Sequence, residues 1–100
     1  MIISGGENIH PVEIESALAE HPAVAECAAF GLPHEEWGET VAVAIVLKPG
    51  AQLAREALRQ HLDARLARFK LPRHVIFVDS LPKTALGKLQ RSALSALFDA

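Results

Sequence analysis

The first 47 residues of this chain contain no Lys or Arg, and the full 100 residues contain one Cys, one Trp, four Phe and no Tyr. A single cysteine excludes an internal disulfide framework and a cysteine-built zinc site. Flanked by Glu26 and Ala28, Cys27 has nothing beside it to activate a thiol and reads as packing. The five histidines, His10, His21, His34, His61 and His74, never stand as H-x-x-x-H or H-x-H, and "HEEWG" is not H-E-x-x-H, so no metal site is expected. Ser4 lies in S-G-G-E and not in a G-x-S-x-G elbow, which leaves no internal nucleophile. A phosphate-cradling loop is also missing. Gly87-Lys88 looks like its tail, but Pro82 stands where the first glycine should be and has no N–H to donate, and Leu89 stands where a hydroxyl should bind metal. No apolar run approaches the roughly 18 to 20 residues of a membrane span. The N-terminus has no basic start and apolar core of a signal peptide, so the cytoplasm is the expected location.

What is present is the composition of one soluble globular domain, with 50% hydrophobic and 22% charged residues. Residues 1–100 suffice for one modest core but are short for an enzyme that must enclose a substrate unaided. The net charge of -2 hides a polarity along the chain: eight acids and no bases in residues 1–47, then ten bases against four acids. Residues 65–91 hold Arg65, Arg68, Lys70, Arg73, Lys83, Lys88 and Arg91 against Asp79 alone. Such a density suits a polyanionic ligand; it also arises when two faces of one domain pair with each other. The scattered aromatics and the negative net charge are a poor footprint for nucleic acid, and no such partner is expected.

Turn signals at short intervals predict a small α+β domain: a roughly three-stranded sheet packed by helices, plus a short N-terminal strand or hairpin. The opening "MIISGGEN" suggests that short strand and a glycine turn. Pro11 and the apolar spacing after it predict a helix over residues 11–20, stopped by Pro22. Strands are predicted over 23–32 and 40–48, with "GLPHEEWGE" between them as a loop or one short helical turn. Leu58, Leu62 and Leu66 predict an amphipathic helix running to about residue 68. "HVIFVD" is a third strand, "SLPKTALGK" a mobile loop, and "LQRSALSALF" a terminal helix.

Two loops remain as chemical candidates. In Ser4-Gly5-Gly6-Glu7-Asn8 the glycines either allow a ligand to approach the backbone or simply permit positive φ in a turn. In the other, Pro82 and Gly87 bracket a segment presenting Lys83 and Lys88, which are either functional cations or solubilising charges.

Taken together, "GGENIHPVEIE", "GLPHEEWGETVAVAIV", "FKLPRHVIFVDSLP" and "LPKTALGKLQR" closely resemble, in order and spacing, the C-terminal domain of acyl- and aryl-CoA synthetases. These belong to the adenylate-forming, AMP-binding superfamily, and the resemblance spans essentially the whole chain. It implies the small lid of an acid–thiol ligase. Such an enzyme uses ATP, with Mg2+, to convert a carboxylate to an acyl-adenylate and then passes the acyl group to coenzyme A. In the family a large N-terminal domain binds ATP and the acid, while the lid turns a different face to it for each half-reaction.

By this resemblance Lys88 is the adenylation lysine, an inserted finger and not part of a cradle. Gly5, Gly6 and Glu7 face the active site in the other pose, with the glycines leaving room for the pantetheine arm. Trp37, Phe69, Lys70 and Arg73 match the contacts to the nucleotide end of coenzyme A, with packing under Leu66 as the alternative for Phe69. Leu71 departs from the pattern, since some relatives carry a base there. The chain begins just after the family's hinge position, so it resembles a lid without its N-terminal domain. The resemblance implies that domain, coenzyme A and the acyl-adenylate as partners, no cofactor held tightly by the lid, and no catalysis by the lid alone. Two other readings stay open: the lid of an adenylation domain that loads a carrier protein, and a free-standing, non-catalytic binding module.

Overall fold

A computed structural model describes residues 1–98 and begins with the glycine turn. Strands β1 (Ile2–Ser4) and β2 (Glu7–Ile9) pair antiparallel, Ile2 with Ile9 and Ser4 with Glu7. Gly5 and Gly6, at φ 59° and 84°, form the two-residue link. Two consecutive positive φ values are what a tight hairpin matching the strand twist demands, and only glycine adopts both cheaply. Ile2 and Ile9 bury their side chains and anchor the hairpin to the core.

Helix α1 (Pro11–Ala19) starts on its proline and ends one residue before the predicted limit. It packs on β3 through Ile14, Ala17 and Leu18. Strands β3 (Val24–His34) and β4 (Gly38–Leu47) form one long antiparallel hairpin. Most of the expected loop over "GLPHEEWGE" is therefore strand, with Pro33 opposite Glu39 and His34 opposite Gly38. Proline is tolerable there because β3 is an edge strand. The turn is closed by His34, whose Nδ1 accepts the backbone N–H of Glu36 (3.1 Å) and of Trp37 (3.2 Å).

Helix α2 (Arg55–Asp63) is shorter than its leucine spacing predicts. The N–H of Arg65 bonds the carbonyl of Leu62, while its guanidinium turns back to take the carbonyl of His61 at 2.9 Å. That satisfies a last-turn carbonyl without another helical residue. Leu66 stays buried beyond the helix end, and a 3-10 turn (Arg68–Lys70) follows. Strand β5 (His74–Phe77) then lies parallel to β4, from Ala42 beside His74 to Ile45 beside Phe77. The predicted terminal helix is a 3-10 segment, Arg91–Phe98.

The short hairpin joins the other three strands through Ser4 and Gly38, so the sheet has five strands in one mixed array with β4 at its centre. Its two faces explain why "VAVAIVL" is apolar throughout. Val41, Val43 and Ile45 pack under α1 and α2, while Ala42 and Ala44 pack with Phe30, Leu81 and Leu94 on the other side.

Candidate functional site

The glycine hairpin is tied to the β3–β4 turn by a hydrogen bond from the Gly5 N–H to the Trp37 carbonyl at 3.0 Å. A Cβ built on Gly5 or Gly6 meets nothing within 4 Å, so the tip of the hairpin faces open space. Glu7 is exposed beside it. The Trp37 indole already carries two planar groups: the His34 ring, stacked at 4.3 Å and 9°, and the Arg73 guanidinium, 4.0 Å from the ring centre. Arg73 is held in place by its N–H on the Val41 carbonyl, 2.9 Å.

Phe69 is 48% exposed and does not pack under Leu66. Its ring lies 5.5 Å from Lys70 Nζ, which also bonds both oxygens of Glu13 at 2.7 and 2.9 Å. The structure thus joins Gly5, Trp37 and Arg73 by direct contact and sets Phe69 with Lys70 on the adjacent turn.

Lys88 stands apart. Leu81 and Leu89, which bracket its loop, pack on the Ala42–Ala44 face of the sheet, away from α1 and α2. The expected mobile loop is a tight closed turn. Thr84 N–H bonds the Lys88 carbonyl at 2.8 Å, Gly87 N–H bonds the Thr84 carbonyl at 2.9 Å, and Lys88 N–H bonds Thr84 Oγ1 at 3.3 Å. Gly87 sits at φ 82°, where a larger residue would be strained. Lys83 anchors the turn on Glu26 of β3. The Thr84 contribution escaped sequence reasoning, although a Thr three residues before a glycine is a usable turn signal.

The charge polarity divides into two parts. Glu13–Lys70, Glu20–Arg65 and Glu26–Lys83 join the acidic half to the basic half, so much of the split is pairing between faces. Arg55, Arg68, Arg73 and Lys88 form no ion pair among the described residues. Three of them, with Arg59, line a cavity of about 490 Å³ between α2 and residues 68–75. Cys27 donates its S–H toward the Glu15 carbonyl at 3.5 Å. Burial, then the Glu15 carboxylate, pushes the thiol up to about 11, which makes it inert at neutral pH. No group of three or more His, Cys, Asp or Glu is placed to hold a metal ion among the described residues. No described helix is long and apolar enough to cross a membrane.

Residues 13–88 match the family model of the AMP-binding enzyme C-terminal domain, and the match ends on Lys88. The chain belongs to this family. It is 48% identical over 97 residues to an indoleacetate–CoA ligase of Aromatoleum aromaticum, covering 97% of this chain and 19% of that protein. A 4-chlorobenzoate–CoA ligase of Pseudomonas is 50% identical over 95 residues, 94% of this chain and 18% of the ligase. Among solved structures, a Mycobacterium tuberculosis fatty acyl CoA synthetase superposes with a TM-score of 0.90 at 41% identity, over 98% of this chain and 19% of that one. An o-succinylbenzoate CoA synthetase of Bacillus subtilis gives 0.87 at 41% identity, over 93% of this chain and 19% of that one. The AMP-binding C-terminal domain described here therefore spans about a fifth of the length of the ligases it matches.

Proposed function

We propose that this domain is the lid of an ATP-dependent acyl- or aryl-CoA synthetase and supplies that enzyme with an adenylation lysine and one wall of a coenzyme A tunnel. The observation that carries the reading is Lys88: exposed, without an ion pair among the described residues, and mounted on a turn closed by three hydrogen bonds to Thr84. The turn fixes the backbone from which the lysine projects, and among the described residues no ion pair has to be broken before it meets an anion.

In the first half-reaction a carboxylate oxygen attacks the α-phosphorus of ATP and the bond to pyrophosphate breaks. Lys88 Nζ donates to the oxygens on which negative charge accumulates. A positioned donor of this kind is worth roughly 100- to 1000-fold in rate. In the second, the thiol of coenzyme A attacks the acyl carbon and AMP leaves. The open tip at Gly5 and Gly6, with Glu7 beside it, leaves room for the pantetheine arm. Phe69 offers a ring for the adenine, and Arg73 and Lys70 offer cations for phosphate, with Lys70 releasing Glu13 to do so.

The names of the relatives support free coenzyme A as acceptor. ATP, magnesium and the acid are assigned to an N-terminal domain, so the lid alone is catalytically inert. Joined to the N-terminal domain of a CoA ligase, the chain should restore thioester formation with free coenzyme A, and neither part should do so alone. A joined protein that forms the adenylate but passes it only to a carrier-bound pantetheine would overturn the assignment.

A further inference from the structure

The cavity between α2 and residues 68–75 has an apolar floor and a cationic rim. Leu58 and Leu62, on the buried side of α2, meet Leu71, Pro72 and Val75 at its base, and Arg55, Arg59, Arg68 and Arg73 surround it. Arg55 and Arg59 lie one helical turn apart on the same face, an arrangement in which like charges repel and weaken the helix. Among the described residues one carboxylate pairs with any of the four, Asp63, at 3.9 Å from Arg59 Nε. The ion pairs between the two halves of the chain lie elsewhere among the described residues, on Lys70, Arg65 and Lys83. Four guanidiniums around one hollow with a single weak counter-ion are a site waiting for an anion from outside the chain. Their planar donor forks match a phosphate bidentately.

We propose that Arg55, Arg59 and Arg68 form a phosphate-monoester site that selects a nucleotide carrying a second phosphate. The reading above as a CoA ligase lid supplies the name of that group, the 3′-phosphate of coenzyme A, and the proposal rests on it for the name alone. Arg73 belongs both to the rim and to the Trp37 stack, which makes the groove continuous with the surface assigned to the nucleotide. Leu71, in the floor, cannot meet a phosphate, so the charge comes from α2 and Arg68. The three arginines are exposed, so binding through them weakens with salt.

The test titrates the full 100-residue chain with adenosine 3′,5′-bisphosphate and with AMP, by calorimetry at low salt, for the wild type, Arg55→Gln/Arg59→Gln and Arg68→Gln. Thermal melts confirm that each variant is folded. The bisphosphate should bind at least tenfold more tightly than AMP, and the double variant should lose that preference while keeping AMP binding. Equal binding of the two nucleotides, a preference unchanged in the variants, or no binding of the bisphosphate overturns the proposal. In the joined ligase the double variant should raise KM for coenzyme A and leave KM for dephospho-coenzyme A and kcat unmoved. A groove that binds the bisphosphate in a chain that never supports thioester formation would keep the site and remove the ligase reading. A working ligase with an indifferent groove would do the reverse.

Discussion

Gly6 holds φ at 84° with empty space where a Cβ would project, so within this chain its cost of substitution is backbone strain and not collision. Gly6→Ala should lower stability by about 1–2 kcal/mol, and Gly6→Asn by less, because Asn tolerates the left-handed region; urea titration checks both. Since an added Cβ meets nothing inside the domain, a joined ligase carrying folded Gly6→Asn should still form adenylate but lose thioester formation. Equal activity in the second half-reaction would remove Gly6 from the tunnel. The two candidate loops, around Gly5-Gly6 and around Lys88, were legible in the sequence because motif and turn geometry are both short-range. Trp37 was legible as a ring but not as one already stacked by His34 and Arg73, because the guanidinium arrives from residue 73.

At the joint between α1 and α2, His21 and His61 meet edge to face at 5.0 Å, and His61 Nε2–H donates to the Ala17 carbonyl at 2.7 Å. His21 Nδ1 accepts the Ala23 N–H at 3.1 Å. Burial, then the charges of His61 and Arg65, hold His21 below its ordinary 6.5. The unfolded chain then binds the proton more readily than the folded one, so this contribution to stability is complete above about pH 6.5 and is lost as pH falls below it. His21→Asn, which keeps an acceptor for the Ala23 N–H, should flatten the fall in melting temperature between pH 7 and 5. An unchanged slope would place the acid sensitivity elsewhere. Element boundaries show where periodicity stops informing. Leu58, Leu62 and Leu66 keep helical spacing past the true end of α2, because the guanidinium of Arg65 replaces the next helical bond, a choice invisible in an apolar pattern. Gly31 and Pro33 are turn signals, yet pairing with β4 extends β3 through them to His34. Sheet register depends on a partner strand, and local composition does not carry it.

Across the whole molecule, the charge polarity is a device of assembly before it is one of binding. Lys70 reaches Glu13, and Lys83 reaches Glu26, each across 57 residues of sequence, fastening the basic second half to the acidic first. Exposed pairs like these contribute up to about 1 kcal/mol each. Of the bases outside these pairs, Arg55, Arg68 and Arg73 line the groove beside α2, and Lys88 stands on its turn at the opposite face of the sheet. That separation suits a lid that presents one face to a reacting carboxylate and another to an incoming nucleotide thiol. The most direct test is Lys88→Ala in the joined ligase, followed by ATP–pyrophosphate exchange and by thioester formation from preformed acyl-adenylate. Exchange should fall by roughly 100- to 1000-fold while thioester formation is unchanged. Two half-reactions left untouched, or lowered together, would contradict the account.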